Sequence, residues 1–491
     1  MNWLCWIRYV AGLAILTTVV HDACLAQGPG VVGSQRFLQE QLRPLIQPDL
    51  TTPAPVDRLL LDYGAILRST TAWFEDPGND PTRFQNSRAL HIAETRPWAR
   101  MTYGGIHRGY VRGQFSYLSY YKGDHYDSSG NHDWQGPYLD LGFYQFDVDE
   151  SVRRWTGESV EGWSADATVG RQFLFVGRGI AFGLNTDAVS LDWAWNDWAG
   201  LVYGSQSVQR GNDLFDNRSG VYQLSDRGFF GAQVEYQGWD RRDLYGYVVS
   251  QWDTSDSSSG PDEYDCEYWG MGSTGEVLFC DPADPWGIPN LQYFSEFVVQ
   301  RGQSGTVFSR EEIRSWAVDA GLNYYWNAPC RPRFTFEYAR ASGDPTRIAQ
   351  PQRISDGNLP GTSDTTFLGF GYLNTGASFA PLFANLEFIR FGAAARPFAD
   401  SCSRSWQNLE VGTSTFVYWR PESSAAISDV RADIAGEHFL GHEWDLFVNW
   451  QMSSDLFLLV NYGVFFPNDD SFSPGNDRSR QFLTVNLNWL L

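Results

Sequence analysis

The sequence lacks long apolar runs beyond its first 26 residues, where no stretch approaches the roughly 18 residues that a membrane-spanning helix requires. Mean hydropathy is −0.35. Lysine is almost absent, since Lys122 is the only one and arginine supplies the rest of the 36 basic residues. The formal net charge of −22 argues against nucleic acid as a partner, because phosphates would be repelled.

Cysteine is also scarce. Of six cysteines, Cys5 and Cys24 precede residue 27, and the four that follow are Cys266, Cys280, Cys330 and Cys402. An even number in an exported protein suggests disulfides. We expect Cys266 to pair with Cys280 as a staple in a polar loop, and Cys330 to pair with Cys402 across neighbouring turns. No spacing fits a zinc or redox site, so we expect no metal and no cofactor.

The N-terminus has the pattern of an export signal. Arg8 precedes the apolar segment Tyr9–Val20, and Cys24-Leu25-Ala26 places small residues before a cleavage site at Gln27. The alternative is a short buried helix. We expect residues 1–26 to be a signal peptide and residues 27–58, which are polar and rich in proline, to be a periplasmic extension. A single domain is expected over residues 59–491.

From about Leu59 onward, segments of about ten residues alternate apolar and polar side chains. Trp444–Gln451 and Leu456–Phe466 show this pattern clearly. In the final segment Leu483, Val485 and Leu487 alternate with Thr484, Asn486 and Asn488. A period of two gives each strand one apolar and one polar face.

About sixteen such segments follow one another, and one long loop has room for another pair. Short connections such as Asn196-Asp197 and Asp240-Arg241 alternate with long ones such as Thr254–Pro289 and Ser342–Thr365. This is typical of periplasmic turns and extracellular loops. The 16% aromatic content and 21 tryptophans suit lipid-interface girdles.

We therefore predict an all-β fold, a transmembrane antiparallel β-barrel of sixteen to eighteen strands in the bacterial outer membrane. The alternative is a soluble propeller or sandwich, but no repeat of 40–50 residues is visible.

The predicted inward face carries charges of both signs. Alternation places Arg112, Asp166, Asp319, Glu337 and Asp445 opposite apolar neighbours. An arginine facing lipid at midplane would cost about 2–4 kcal/mol, so these charges are expected to line the lumen. They form either a selectivity ladder for a charged or hydroxyl-rich solute, or ion pairs that only hold the barrel rigid.

Several motifs recur in a fixed order along the chain. They are Gly170-Arg171-Gln172, the segment Asp187–Leu191, Glu337-Tyr338-Ala339 and Gly441–Leu446. In this order and spacing the sequence resembles the alginate-export family of outer-membrane porins over roughly residue 59 to the C-terminus.

The resemblance implies a monomeric barrel of about eighteen strands, whose arginine-lined constriction passes an anionic polyuronate. Arg171, Asp187 and Asp445 match positions of the family motifs, and Gln172 and Arg390 complete the candidate pore lining. Strict alternation puts Arg171 and Arg390 on the lipid side, so we expect a β-bulge or a strand end to reorient them.

We predict a channel rather than an enzyme, because no serine lies beside a histidine with a third group to orient it. Its expected partners are outer-membrane lipid and a polar solute, anionic or an oligosaccharide. The alternative is an adhesion or structural barrel with ligand-binding loops.

Overall fold

The computed structural model describes most of the region predicted to form the barrel. The described residues are 58–75, 87–120, 132–157, 161–208, 226–253, 263–277, 291–306, 309–347, 354, 358–429, 432, 437–472 and 477–491. The predicted signal peptide, 1–26, and the predicted extension up to residue 57 lie outside them. Within these ranges no helix is both long and apolar enough to cross a membrane.

Eighteen antiparallel strands form one closed sheet within the described ranges, and this confirms the predicted fold class. The strands are β1 Leu59–Glu75, β2 Ser87–Tyr103, β3 His107–Tyr120, β4 His132–Asp147, β5 Trp163–Phe175, β6 Gly183–Trp195, β7 Trp198–Ser207, β8 Arg227–Trp239, β9 Arg242–Asp253, β10 Glu263–Val277, β11 Leu291–Thr306, β12 Ser309–Tyr325, β13 Arg333–Ala341, β14 Glu387–Ala395, β15 Leu409–Trp419, β16 Phe439–Gln451, β17 Leu456–Pro467 and β18 Arg480–Leu490. Helix α1 is Val148–Thr156 and helix α2 is Arg404–Gln407. The barrel closes because β1 pairs with β18, from Ile66 opposite Leu490 to Glu75 opposite Gln481.

Two strands, β10 and β11, are not among the segments that the sequence pattern indicated. β10 lies inside the stretch 254–289 that the pattern indicated as a loop, and β11 follows it. In β10 the buried Tyr264, Cys266 and Tyr268 occupy the lumenal face, while the acidic Asp265 and Glu267 lie on the outer face. In this part of the strand the apolar side chains therefore face the lumen, the reverse of the expected pattern, although the ladder is regular on both sides of the strand.

The two ends of the barrel differ in their connections. Residues 196–197, 240–241 and 452–455 make tight turns at one end, which we call the short-turn end. The connection 342–386 leaves from the opposite end, the long-loop end. Since short turns are periplasmic in barrels of this type, the short-turn end faces the periplasm. Not every connection at the long-loop end is long, since β11 and β12 are joined there by only two residues, 307–308.

Burial alternates along the strands as a membrane barrel requires. On β6, Val189 is 61% exposed on the outer face, while its neighbours Ala188 and Ser190 are buried on the lumenal face. Trp195 and Trp198, at the short-turn end, are exposed as expected for residues of an aromatic girdle.

Two connections from the long-loop end fold into the lumen and pair with each other. The backbone N–H of Phe370 donates to the carbonyl of Ala181 at 2.9 Å, and that of Tyr372 donates to Gly179 at 2.8 Å. Phe182 and Phe370 each pack against Phe229 of the wall, with ring centroids 5.0 and 5.1 Å apart. This apolar core fills the lumen beside β8.

Candidate functional site

A network of charges lines the lumenal wall of β1 to β4. Glu94 accepts from Arg68 at 3.1 Å and from Arg96 at 2.6 Å. Asp140 accepts from Arg96 at 3.1 Å and from Arg112 at 2.6 Å. We call these five residues the arginine network. With three guanidinium groups and two carboxylates, the network carries a surplus positive charge on side chains that are almost fully buried.

The arginine network has more hydrogen-bond donors than acceptors. Glu94 also accepts from the side chains of Gln114 at 2.7 Å and Ser116 at 3.1 Å. Consequently one guanidinium nitrogen of Arg96, Nη2, has no hydrogen-bond partner among the described residues. A buried donor left unpaired is costly, and an anionic group would satisfy it.

A stripe of uncharged polar side chains runs beside the arginine network. Asn488 lies opposite Arg68 in the ladder, and Thr70 donates to Asn486 at 2.5 Å. Thr484, Asn486 and Asn488 face the lumen, as the alternation of the last strand predicted. Hydroxyl and amide groups of this kind exchange hydrogen bonds with hydroxyl-rich molecules.

The opposite wall carries two further ion pairs. Arg390 contacts Glu337 at 3.1 Å, and Arg178 contacts Asp319 at 2.9 Å while its guanidinium lies 3.5 Å from the ring centroid of Phe294. Arg178 comes from the inward-folded connection between β5 and β6, and it is not among the residues predicted to line the pore. The feature of the sequence that could have indicated an inward-folded turn at Arg178 is its pair of flanking glycines, Gly177 and Gly179, which both adopt positive φ.

A second inward-folded segment, residues 374–381, crosses the lumen and is called the lumenal loop. The carboxylate of Glu443 accepts three consecutive backbone N–H groups from it, those of Ala377 at 2.5 Å, Ser378 at 2.6 Å and Phe379 at 2.7 Å. Successive N–H groups aimed at one anion form a strong binding concavity. Glu443 therefore fixes the position of the lumenal loop.

The lumenal loop reaches the wall beside the arginine network. Ala377 and Ala380 pack against a buried apolar cluster whose wall residues are Leu90, Ile92, Leu118 and Phe482. Since Ile92 and Glu94 share the lumenal face of β2, the loop lies next to the arginine network on the side of the long-loop end.

A buried ion pair holds the earlier part of the connection 342–386, which also contains the lumenal loop. Arg347 contacts Asp364 at 2.7 Å, and Asp364 also accepts from Ser304 of β11 at 3.0 Å. Burial raises the pKa of Asp364 above its usual range, although Arg347 opposes this shift. The ion pair joins the connection to the barrel wall.

Most of the predicted lining residues lie on the lumenal face. Gln172 accepts from Ser190 at 3.2 Å, and Asp166 lies 3.8 Å from Arg108 near the short-turn end. Asp445 accepts from the N–H of Ala377 at 3.2 Å. Arg112, Asp319, Glu337 and Arg390 form the ion pairs described above.

Arg390 faces the lumen without any bulge, because Glu387 faces outward and Asn385 precedes the strand.

The structure corrects the prediction for Arg171 and Asp187. Arg171 lies directly opposite Asp187 in the ladder, on the face that carries the exposed Val169 and Val189. The two form a bidentate ion pair with both distances at 2.8 Å. Gly170 has a φ of +123°, but the alternation continues through it, so Arg171 is not reoriented into the lumen.

The predicted disulfides are not formed in the structure. Cys266, Cys330 and Cys402 are free, and Cys280 lies outside the described residues. Cys266 lies within β10 and not in a loop. Val277 is the end of β10 that precedes Cys280 in the sequence, and it is eleven residues, or about 36 Å of extended strand, from Cys266. A staple with Cys280 is therefore wrong on geometry. Cys330 and Cys402 do lie in turns at the same end.

The closed sheet, the outward apolar face and the charged lumen define a porin-like channel of the bacterial outer membrane. A family model described as alginate export matches residues 159–486, so the chain belongs to the alginate export family. This confirms the resemblance found in the sequence.

Solved structures of similar fold include two proteins of Pseudomonas aeruginosa, the outer-membrane protein OpdK and OccK5. OpdK is 11% identical, with a TM-score of 0.51 over 88% of this chain and 99% of that chain. OccK5 (OpdH) is also 11% identical, with a TM-score of 0.50 over 88% of this chain and 98% of that chain. At this identity the likeness concerns the fold alone. No curated protein matches the sequence.

Proposed function

We propose that the channel passes an anionic, hydroxyl-rich solute, an acidic oligosaccharide, along the wall that carries the arginine network. The observation that supports this most is the surplus guanidinium charge of Arg68, Arg96 and Arg112 over Glu94 and Asp140. Guanidinium groups present planar donors that match a carboxylate, so a uronate sugar is a suitable ligand.

The neighbouring polar stripe supports the hydroxyl-rich part of the proposal. Asn486, Asn488 and Thr484 lie on β18, next to the strand that carries Arg68. A sugar acid moving along this wall would meet guanidinium groups for its carboxylate and amide or hydroxyl groups for its ring. The overall charge of −22 does not prevent this, because exposed charges beyond about 8 Å are largely screened at physiological salt.

We also infer that the chain is exported through residues 1–26 and acts as a monomer, with residues 27–58 in the periplasm. The monomer is supported by the closure of the barrel within one chain, which leaves no sheet edge to be completed by a second copy.

Bilayer recordings test the proposed solute. In a salt gradient the wild-type channel should favour anions. Arg96→Gln together with Arg112→Gln should lower the anion-to-cation permeability ratio by about twofold or more, because the surplus charge of the network changes from positive to negative. An oligouronate should block the wild-type current, and a neutral oligosaccharide of equal length should block it less.

The matched control is Arg314→Gln, since Arg314 pairs with Glu312 on the exposed face of β12. It should leave permeability and block unchanged. A cation-selective wild-type channel that the oligouronate fails to block would overturn the anionic solute, while the membership of the family would stand.

A further inference from the structure

The ion pair between Arg171 and Asp187 lies on the outer face, away from any solute. We propose that it nevertheless sets the selectivity of the channel, because it positions Asp140, which holds Arg96 and Arg112 in the lumen. Arg171 and Asp187 are thus positioning residues that act through the barrel wall. The effect on solutes rests on the proposed function, whereas the coupling between the two faces does not.

Asp140 faces the lumen because of a β-bulge. In the pairing of β3 with β4, Arg112 lies opposite Leu141 and the next residue, Gly113, lies opposite Leu139, so Asp140 is the extra residue. A bulge redirects a side chain but leaves part of the ladder without its regular hydrogen bonds. The position of the Asp140 carboxylate therefore depends on whatever holds the bulged backbone.

Arg171 holds that backbone. The pairing of β4 with β5 runs only from Gly142 opposite Arg171 to Asp147 opposite Asp166. Leu139 lies beyond this ladder, and its carbonyl accepts from Nη1 of Arg171 at 2.9 Å. That carbonyl belongs to the peptide group that joins Leu139 to Asp140, so the guanidinium fixes the orientation of the peptide that leads into the bulge.

Asp187 in turn fixes the guanidinium. Its two carboxylate oxygens accept from Nε and Nη2 of Arg171, both at 2.8 Å, so that only Nη1 is left to reach Leu139. A bidentate pair of this kind constrains both distance and orientation. The planar fork is required, because a lysine at this position would offer a point charge without that geometry.

Gly170 allows the strands to approach closely enough for this contact. Its φ is +123°, and a Cβ there would lie 2.3 Å from the carbonyl oxygen of Gly142 on β4. The three residues of the family motif thus have separate tasks. Gly170 permits the close approach, Arg171 binds the bulged strand on the outside, and Gln172 faces the lumen.

On the lumenal side one oxygen of Asp140 links two strands of the arginine network. Its Oδ2 accepts from Arg96 on β2 and from Arg112 on β3. A shift of the bulge would therefore remove this contact from both guanidinium groups at once, and Arg96 would keep only its pair with Glu94. The expected result of this shift is weaker binding of an anionic solute, although no charge in the lumen has been removed.

The test is a double-mutant cycle on purified full-length protein in planar bilayers. Arg171→Met should weaken block by an oligouronate about three- to tenfold. Asp140→Asn is the second arm of the cycle, and it is used only for the coupling, because it frees the guanidinium groups and also removes a lumenal negative charge. If Arg171 acts through Asp140, adding Arg171→Met to Asp140→Asn should have little further effect. Arg171→Lys should restore only part of the block.

Arg314→Met serves as the matched outer-face control and should change nothing. Folding of each variant is checked by its thermal melting in detergent. Should Arg171→Met fail to fold, Asp187→Asn with the same cycle replaces it. The proposal is overturned if folded Arg171 variants keep wild-type block, or if their effects add fully to that of Asp140→Asn. If the wild type is not blocked at all, the proposed solute fails, and the cycle is then read from the reversal potential.

Discussion

Replacing Glu443 by alanine is expected to enlarge the open pathway and raise single-channel conductance by about twofold or more. The carboxylate is fully buried and accepts the N–H groups of Ala377, Ser378 and Phe379. Without it Ser378 and Phe379 lose their acceptor, at a cost of about 1–3 kcal/mol each, and Ala377 keeps only the longer contact to Asp445 at 3.2 Å. The lumenal loop would then leave its site and reach solvent.

Graded variants separate this effect from a general loss of structure. Glu443→Gln keeps one acceptor oxygen in place and should give an intermediate conductance. Glu337→Gln is the matched control, because Glu337 is an equally buried lumenal acid that pairs with Arg390 on the wall and not with the lumenal loop. A folded Glu443→Ala variant with wild-type conductance would show that the lumenal loop is not held by this contact.

A second large effect is expected from Gly371→Val, which should separate the two inward-folded connections and destabilise the protein by about 3 kcal/mol. A Cβ at Gly371 would lie 1.6 Å from the carbonyl oxygen of Gly179. The atoms that the Cβ meets belong to the backbone of Gly179 and Ile180, so no change of rotamer relieves the clash. The two connections would therefore lose the hydrogen bond from the N–H of Tyr372 to the carbonyl of Gly179, and Phe182 would lose its packing against Phe229.

Hydrogen exchange tests this prediction directly. Residues 179–183 and 370–372 should lose protection in Gly371→Val, while the strand ladders keep theirs, and the thermal midpoint should fall. Gly204→Val is the control, since a Cβ at Gly204 has nothing within 4 Å. If exchange is unchanged in both segments of Gly371→Val, the pairing of the two connections does not hold them in the lumen, and the prediction is wrong.

The faces of most strands could be read from the sequence, because a period of two depends only on which side meets lipid. Thr484, Asn486 and Asn488 were placed in the lumen in this way, and so were Arg112 and Asp319. The same logic put Arg171 on the outer face, which is where it lies. The expectation that a bulge would reorient it was wrong, since the relevant bulge is in the neighbouring strand at Asp140.

The pattern failed where the lumen is not polar. β10 carries tyrosines on its lumenal face because the inward-folded connections cover that wall with apolar side chains, such as Phe367 and Phe370 beside Tyr268. With Asp265 and Glu267 on the outer face, this part of β10 resembles a polar loop in the sequence. The absence of β10 from the prediction and the filled lumen therefore share a cause, which does not apply to β11, where Glu296 and Gln300 face the lumen.

By itself, the sequence determined the barrel, the orientation of its strands and the family to which the chain belongs, because these follow from local periodicity and from ordered motifs. Only the tertiary structure decided which part of the lumen is filled, which carboxylate holds the lumenal loop and which arginines line the pathway. Glu443 and Ala377 are 66 residues apart, and Asp140 and Arg96 are 44 apart. Contacts of that kind depend on closure of the barrel and leave no periodic signal in the chain.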